Sequence, residues 1–517
     1  MGSDLKRITA VLSAAAMSAA LFSCTSVSHT SSNTSLSGLS SGENSGVIGS
    51  EHIYTETTAV TETTTSTTTV TQTTTTTQPT TTTTTTTTQP IVKGDLCDCA
   101  GNVLVYSEYE GDTEARYYDQ NHKISFANIL SRESGGLDSV LDEQLREKNP
   151  TPVQGKPNVG KSARLTFDSA VQDQIYNYMQ SSNIVGSVVV MRTDGSVMSE
   201  VSYPSYDPDM YRADHSYADT LPSGAFLNRA FQNASPGSCF KIMSAVIAAK
   251  HGVTSLPDEG NWEYSGTSIH NWDWDSNRGS YPMAERTLSS AIVNSSNVFF
   301  AKAFQQIGTE EVLTDLADIF HFARDYDIDC DFGPFENYIE INCDDDLRRS
   351  AFGQSYVKTC PLYLAALGRE AVFGDMVRPF TVKEYADTND GKTSAGEGSK
   401  AYDVIGTIPE ECRQVLLDGM KGVADKLGVY VPDGYTLYAK TGTAEVGAGD
   451  YLYITGCLKN NSDNSDQKPE FSDYSDYGAN GSYIVVMQIQ NPGDHNFRFA
   501  SDSAKLYGDI LRIAAGY

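Results

Sequence analysis

Apolar residues are distributed unevenly along this chain, and their pattern separates a polar N-terminal stretch from a folded body. Between residues 25 and 90 serine and threonine dominate, and residues 55 to 90 form a nearly pure threonine tract. Such a composition cannot bury enough apolar surface to offset the conformational entropy of folding. We therefore expect residues 25–90 to be a disordered Ser/Thr-rich stalk, with order beginning near Ile91.

From residue 161 onwards the pattern alternates between strand and helix periods. Two apolar runs flank Asp194-Gly195, a dipeptide typical of a tight hairpin turn. Three more runs with strand periodicity lie near the C-terminus, and most of the sequence between residues 238 and 374 has helical spacing. This order predicts an α+β fold, with an antiparallel sheet flanked by helices and an all-helical subdomain inserted between its two halves. The predicted strands are 185–191, 197–203, 435–440, 451–458 and 482–490, and the predicted flanking helices are 169–180, 242–250 and 500–515.

A small N-terminal module is predicted between the stalk and this larger domain. Residues 93–105 have the pattern of two short strands around a turn at Gly101, and residues 137–145 form one helical patch. The remaining residues up to 160 are mostly polar. We assign residues 91–160 to an N-terminal pedestal module and residues 161–517 to the main domain.

The first 24 residues have the pattern of an export signal. Lys6-Arg7 form a basic region, and Ile8 to Phe22 form an apolar run that is shorter than the roughly 18–20 residues needed to span a bilayer. The following Ser23-Cys24 resembles the end of a bacterial lipobox, which predicts Cys24 as a lipidated residue. A cleaved ordinary signal and an uncleaved short anchor are the alternatives. In each case we expect the folded body on the outer face of the bacterial cytoplasmic membrane.

The charge and the cysteine spacing exclude several classes of function. A net charge of −29 over 517 residues opposes binding to nucleic acid phosphates and to anionic lipid headgroups. The cysteines and the eight histidines lack the paired spacing of a zinc site. We therefore expect no metal, no other cofactor and no nucleic acid partner.

The strongest candidate for chemistry is Ser238, which follows Pro236-Gly237 at the start of a predicted helix. Lys241 lies three residues later, and residues three apart lie on one helical face. A serine hydroxyl needs a base to become a nucleophile, and a lysine can be that base when burial lowers its pKa. The Ser-x-x-Lys spacing recurs three times in the chain. None of these copies combines a preceding Pro-Gly turn, a following apolar helix and the downstream motifs described next. Those copies begin at Ser3, Ser355 and Ser465.

Two further motifs follow in order, Ser295-Ser296-Asn297 inside a helical pattern and Lys440-Thr441-Gly442-Thr443 at the end of a predicted strand. Each is weak alone, because partial copies of both occur elsewhere in the chain. Together and in this order with Ser238 and Lys241, they resemble the three active-site motifs of the penicillin-binding transpeptidases.

The resemblance extends beyond the three motifs, over about residues 93–517. Residues 94–101, 165–168 and 186–206, together with Gly353-Gln354, are similar to class B (monofunctional) members of this family. The resemblance implies a β-lactamase/transpeptidase-like fold behind a membrane-proximal pedestal.

The family's roles can be carried over to the matching positions. The resemblance implies that Ser238 attacks a D-Ala-D-Ala peptide bond with Lys241 as its base. Ser295 would relay the proton to the departing D-Ala, Asn297 would hold Lys241 and the substrate amide, and Lys440 would supply positive charge. The substrate-binding residues implied by the motifs are Ser296, Thr441, Gly442 and Thr443. The backbone N–H groups of Ser238 and Thr443 would form the oxyanion hole.

The resemblance thus implies a peptidoglycan D,D-transpeptidase that crosslinks stem peptides and binds β-lactams covalently. Its expected partners are a D-Ala-D-Ala donor, an amine acceptor and a membrane-embedded glycosyltransferase. A D,D-carboxypeptidase or a β-lactamase on the same fold is one alternative. A wall-binding protein without catalysis is another, and a covalent penicillin adduct on Ser238 would exclude it.

Overall fold

The computed structural model of the protein describes residues 91–110, 113–147, 159–277, 281, 284–322, 327–330, 333–386, 403–446, 449–463 and 481–517. The export signal, Cys24 and the predicted stalk (residues 25–90) lie outside these residues, so what the sequence predicts for them stays a prediction. The described residues belong to one compact unit. Among them, no helix combines the length and the apolar character that crossing a bilayer requires.

Short strands and helices alternate along the described residues. In chain order the strands are β1 (Leu96–Cys97), β2 (Val103–Glu110), β3 (Thr113–Tyr118), β4 (Ser162–Leu165), β5 (Gly186–Arg192), β6 (Val197–Tyr203), β7 (Ser255–Asp258), β8 (Asn261–Tyr264), β9 (Thr267–His270), β10 (Ala284–Thr287), β11 (Asp327–Cys330), β12 (Gly333–Glu336), β13 (Tyr338–Glu340), β14 (Tyr356–Lys358), β15 (Asp375–Val377), β16 (Val382–Ala386), β17 (Val404–Thr407), β18 (Tyr435–Val446), β19 (Gly449–Asn460) and β20 (Tyr483–Ile489). The α-helices are α1 (Lys123–Leu130), α2 (Leu137–Val140), α3 (Asp142–Leu145), α4 (Ser169–Ser181), α5 (Pro208–Ala213), α6 (Lys241–Lys250), α7 (Trp274–Asn277), α8 (Leu288–Val293), α9 (Asn297–Ile307), α10 (Thr309–Phe320), α11 (Asp344–Ser350), α12 (Pro361–Phe373), α13 (Glu410–Leu427) and α14 (Ala504–Ala515). Short 3₁₀ helices include Gly237–Phe240 and Ala500–Ser503.

A five-stranded antiparallel sheet lies at the centre, with strand order β18-β19-β20-β5-β6. Helix α12 packs on one face, where Gly368 approaches the side chain of Thr455. Helix α14 packs on the other face, where the Tyr507 hydroxyl donates to the Val485 carbonyl. Because both faces are covered, β5 and β20 are buried along their whole length. The α+β fold and the antiparallel sheet with halves far apart in sequence are confirmed.

One predicted strand end is wrong. The sequence places Lys440 at the end of a strand, whereas β18 continues to Val446. The reason is pairing with β19, in which Thr441 lies opposite Ile454 and Thr443 lies opposite Leu452. The third motif therefore lies in the middle of β18, which is an edge strand of the central sheet among the described residues.

The N-terminal module shares a sheet with the main domain. That sheet has the order β16-β4-β1-β2-β3, and β4, the first strand after residue 160, pairs in parallel with β1. Strand β16 then adds to β4 from far along the chain. The sheet therefore crosses the boundary that the sequence predicts between residues 160 and 161. The strands around Gly101 and the helical patch at 137–145 are present, while β3 and α1 were not predicted because their sequences lack a clear apolar period.

The section expected to be an all-helical subdomain also contains small two-stranded sheets, which corrects that detail of the prediction. Strands β8 and β9 form a hairpin across Ser265-Gly266, two residues with φ of 50° and 82°. Positive φ at both central residues is the geometry that tight hairpins favour. Strands of four residues carry too few positions to show alternation, so the helical spacing around them dominates the sequence pattern.

A cluster of charged side chains is buried in the N-terminal module. Arg116 lies 2.7 Å from Asp138, and Lys93 lies 3.4 Å from the same carboxylate. The side chains of Lys93 and Asp138 have no exposed surface. The negative charge of Asp138 therefore depends on both cations for its solvation.

We predict that Arg116→Ala destabilises the protein by about 3 kcal/mol, because it leaves the buried Asp138 with incomplete compensation. Urea denaturation followed by circular dichroism measures the change. Lys421→Ala is the control, since it breaks an ion pair with Asp425 whose side chains are 45% and 64% exposed; we expect a loss of less than about 1 kcal/mol. Equal losses for both variants would contradict the prediction.

Candidate active site

Ser238 and Lys241 lie side by side at the entrance to helix α6. Pro236 and Gly237 lead into a 3₁₀ turn over Gly237–Phe240, and α6 begins at Lys241. Residues three apart eclipse one another in a 3₁₀ turn, and the Lys241 Nζ accordingly lies 2.9 Å from the Ser238 Oγ. Ser238 is partly exposed, whereas Lys241 is buried. The predicted pair is present as a hydroxyl facing solvent and an amine behind it.

The second motif meets this pair from the loop between α8 and α9. Ser295 has a φ of 52°, a left-handed conformation that turns the chain sharply before α9 begins at Asn297. Its carbonyl oxygen lies 2.7 Å from the Lys241 Nζ, and its hydroxyl lies 3.2 Å away. The Asn297 Oδ1 lies 2.6 Å from the same nitrogen. Lys241 is thus held by three oxygen atoms of the second motif.

The third motif contributes Lys440 from the centre of β18. The Lys440 Nζ donates to the Ser295 hydroxyl at 3.1 Å and to the Thr441 carbonyl at 2.8 Å. Lys440 is buried, like Lys241. The Ser295 hydroxyl therefore lies between two lysine amines.

Burial dominates the electrostatics of both lysines. Loss of hydration is the largest cause that lowers the pKa of Lys241 well below its usual value, and the positive charge of Lys440 lowers it further. Burial also lowers the pKa of Lys440, to about 8. Asp258 partly opposes the shift at Lys241, because a negative charge favours the protonated amine. A neutral Lys241 beside a hydroxyl is the arrangement that a serine nucleophile needs.

A cleft of about 580 Å³ opens over this cluster. Its walls include Ser238, Ser295, Asn297, Thr441 and Thr443, so five of the nine residues predicted for catalysis or substrate binding line it directly. Lys241 and Lys440 lie buried behind the wall, in contact with its hydroxyl groups.

The structure corrects the substrate-binding role predicted for Ser296, because its side chain does not face the cleft. Its hydroxyl is buried, accepts from the Phe299 N–H as the N-cap of α9, and donates to Asp258 at 2.7 Å. The left-handed turn at Ser295 directs the next side chain into the protein. Ser296 stabilises the loop that carries its two neighbours.

The structure also corrects the role predicted for Gly442, which packs against the turn that carries Ser238 (Pro236 to Cys239) and does not line the cleft. A Cβ atom there would lie 2.7 Å from the Pro236 carbonyl oxygen and 2.9 Å from the Cys239 Sγ. Cys239 is buried between Lys440 and Thr455, with its Sγ 3.7 Å from the Lys440 carbonyl and 3.8 Å from the Thr455 hydroxyl. The missing side chain of Gly442 lets the Ser238 turn pack against β18.

Other residues at the site belong to none of the three motifs. Asp258 and Asn271 hold the Ser296-Asn297 segment, and the rings of Phe300 and Phe352 lie 6.0 and 5.8 Å from the Lys241 Nζ. Trp272, 56% exposed, adds an aromatic wall to the cleft. No local spacing marks these residues. In the part of the chain that the structure describes, no group of three or more histidine, cysteine or acidic side chains could hold a metal ion.

A family model, the penicillin binding protein transpeptidase domain, matches residues 186–511, which include Ser238, Ser295 and Lys440. The chain belongs to this family. The fold and the three-motif cleft therefore define a penicillin-binding protein transpeptidase domain.

Individual relatives are distant. The chain is 25% identical to stage V sporulation protein D of Bacillus subtilis over 387 residues, which cover 66% of this chain and 57% of that protein. It is 27% identical to the peptidoglycan D,D-transpeptidase MrdA of Haemophilus influenzae over 315 residues, covering 53% and 47%. The chain thus spans about half the length of these relatives.

Solved structures share the fold. The chain superposes on penicillin-binding protein A of Mycobacterium tuberculosis with a TM-score of 0.66 at 19% identity, covering 83% of this chain and 100% of that one. It superposes on the D,D-transpeptidase domain of a peptidoglycan glycosyltransferase from Eggerthella lenta with a TM-score of 0.64 at 19% identity, covering 83% and 99%. The transpeptidase-like fold expected from the sequence is confirmed.

We predict that Gly442→Ala destabilises the protein by about 1–3 kcal/mol, since the new methyl group meets backbone atoms that cannot move without shifting the Ser238 turn. Chemical denaturation measures the loss. Gly493→Ala is the matched control, because a Cβ there meets nothing within 4 Å, and we expect a change within about 0.5 kcal/mol. If Gly442→Ala unfolds at the same denaturant concentration as the control, the proposed close packing is wrong.

Proposed function

We propose that this protein is a peptidoglycan D,D-transpeptidase that forms an acyl-enzyme on Ser238, releases D-Ala and crosslinks stem peptides. The same serine would react covalently with β-lactams. The observation that carries the proposal is the buried Lys241 amine 2.9 Å from the Ser238 hydroxyl, inside the region matched by the family. The catalytic and substrate-binding roles below are part of this proposal.

In the acylation step the neutral Lys241 amine accepts the proton of the Ser238 hydroxyl. The Oγ attacks the carbonyl carbon of the penultimate D-Ala, and the carbonyl π electrons move to oxygen. The backbone N–H groups of Ser238 and Thr443 stabilise that oxyanion; one such donor is worth on the order of 10²–10³ in rate. Asn297 keeps the Lys241 amine in place through its 2.6 Å contact.

Collapse of the tetrahedral intermediate breaks the bond to the terminal D-Ala. The leaving amine needs a proton, and the Ser295 hydroxyl, 3.2 Å from the Lys241 Nζ, can pass one from the lysine that accepted it. Lys440, 3.1 Å from the Ser295 hydroxyl, supplies positive charge near the terminal carboxylate. Thr441 and Thr443 line the cleft and can bind that carboxylate.

The acyl group then passes to an amine. An acceptor amine from a second stem peptide attacks the ester carbonyl and gives a proton to the neutral Lys241 amine. Lys241 then passes that proton to the Ser238 oxygen as the ester C–O bond breaks, and the new amide bond crosslinks the two peptides. Strand β18 is the edge of the central sheet in the described residues, so an extended donor peptide can align beside it as an added strand.

Similar proteins support this assignment. The Haemophilus relative is a peptidoglycan D,D-transpeptidase. The structures similar in fold include acyl-enzyme complexes of penicillin-binding protein A with imipenem and with penicillin G. We propose for this chain the same acyl transfer and the same covalent reaction with β-lactams.

The proposed location follows from the N-terminal sequence. Export, with lipidation at Cys24, would anchor the protein on the outer face of the bacterial cytoplasmic membrane, and residues 25–90 would give the domain reach into the wall. The proposed partners are peptidoglycan stem peptides and a membrane-embedded glycosyltransferase that makes the strands to be crosslinked.

We predict that Ser238→Ala abolishes covalent labelling by a fluorescent penicillin, because it removes the only atom that the mechanism allows to be acylated. Denaturing gel electrophoresis measures the labelling, and circular dichroism checks the fold. Ser181→Ala, at the end of α4 and remote from the three motifs, serves as the control and should label like the wild type. Persistent labelling of Ser238→Ala would place the nucleophile elsewhere.

We predict a bell-shaped pH dependence for the acylation rate constant with penicillin. The rate rises with pH as Lys241 loses its proton, and because its pKa lies well below the usual value, the enzyme is already active at neutral pH. The rate falls again near pH 8, where Lys440 loses the charge that holds the substrate carboxylate. Stopped-flow measurements across pH test both limbs. A rate that rises only above pH 10 would contradict a neutral Lys241.

A further inference from the structure

Two buried polar residues outside the three motifs hold the second motif in place. Asp258 ends strand β7, and Asn271 directly follows strand β9. They are 1% and 2% exposed. Buried polar groups of this kind need complete hydrogen bonding, and their partners lead directly to the Lys241 amine.

Asn271 fixes the backbone at the start of α9. Its Oδ1 accepts from the N–H groups of Asn297 at 2.8 Å and Val298 at 3.1 Å. The neighbouring carbonyl of His270 accepts from the Asn297 Nδ2 at 3.0 Å. That contact fixes the orientation of the Asn297 amide, so its Oδ1 must face the Lys241 Nζ.

Asp258 fixes Asn271 in turn. Its carboxylate accepts from the Asn271 Nδ2 at 2.9 Å and from the Ser296 hydroxyl at 2.7 Å. Its other partners are the Gly260 N–H at 3.0 Å and the Arg286 guanidinium. Because the Asn271 Nδ2 must donate to the carboxylate, its Oδ1 is left to accept from the start of α9. The orientations of the Asn271 and Asn297 amide groups are therefore determined.

The network determines where the Lys241 lone pair points. A neutral amine has two N–H groups and one lone pair. The Ser295 carbonyl and the Asn297 Oδ1 can only accept, and they lie 2.7 and 2.6 Å from the Nζ. When both N–H groups are used by these two oxygens, the lone pair is left for the Ser238 hydroxyl at 2.9 Å. Both oxygens belong to the segment that Asp258 and Asn271 hold.

We propose, on the basis of the acyl transfer proposed above, that Asn271 and Asp258 are positioning residues that act through Ser296 and Asn297 to aim the Lys241 lone pair at Ser238. Neither touches the substrate. Asn271 acts by geometry, whereas Asp258 acts by geometry and by its negative charge. The charged or titratable groups that affect Lys241 are Lys440 on β18, Asp258 on β7 and the Cys239 thiol on the nucleophile turn.

The geometric part is tested with Asn271→Ala in the full-length protein. We expect the acylation rate constant with penicillin to fall about 10- to 100-fold, because a displaced base loses its alignment, while the dissociation constant of the initial complex stays within about twofold. Asn261→Ala is the matched control, since this asparagine lies on the adjacent strand β8 and its side chain bonds only the Ser268 hydroxyl among the contacts described. It should keep the wild-type rate.

The electrostatic part is tested with Asp258→Asn, which keeps the size of the side chain and removes its charge. Since that charge favours protonated Lys241, its loss should move the acid limb of the acylation pH profile to lower pH, whatever happens to the maximal rate. A purely structural role would lower thermal stability without moving this limb. Glu259→Gln, which removes a charge from the next residue where it pairs with Lys302, should leave the limb in place.

The outcomes separate this inference from the proposed function. Wild-type protein that takes up no penicillin would contradict the function itself. The inference alone would be overturned if the wild type is labelled by penicillin, the variants are folded, and their acylation rate constants and acid limbs match those of their controls. If Asn271→Ala lowers the folded fraction, the test rests on Asp258→Asn. An acid limb at the wild-type pH in that variant would overturn the inference.

Discussion

The structure depends on burying two lysine amines around a single serine hydroxyl. Lys241 and Lys440 approach the Ser295 Oγ from opposite motifs, at 3.2 and 3.1 Å, and both side chains are removed from solvent. Two buried ammonium groups so close together would repel each other and lack hydration. The arrangement is stable when one amine is neutral. The pKa shifts assign that state to Lys241, the amine in contact with Ser238.

The surrounding fold serves to bring three distant segments within contact of one another. The Ser238 turn packs against β18 at Gly442 and against the loop at Gly353, where a Cβ would lie 2.1 Å from the Gly237 carbonyl oxygen. Gly353 has a φ of 73°, so glycine is required there for conformation as well as for space. The second motif is fixed separately, through Asp258 and Asn271. The Ser238 turn and the second motif, whose oxygen atoms contact the Lys241 amine, are thereby held by different parts of the fold.

Local features of the site could be predicted from the sequence, and contacts between distant segments could not. The spacing of Ser238 and Lys241 encodes their contact, because three residues span one turn. Lys440 lies 145 positions from Ser295, and only resemblance to a family joined them before the structure did. Ser296 and Gly442 were assigned to the substrate because a motif does not reveal that the Ser296 hydroxyl is buried or that Gly442 packs against the Ser238 turn. Asp258 and Asn271 have no sequence signal, since their role depends on a hairpin that strand periodicity does not detect.

The central claim is that Lys241 carries no charge at neutral pH, and a direct titration tests it. Protein labelled with ¹³C at the lysine Cε would be titrated by NMR, with Lys241→Arg used to assign the Lys241 signal. The account predicts a Lys241 signal that titrates well below the value of about 10.4 typical of a free lysine. A Lys241 signal that titrates with the surface lysines would contradict the account.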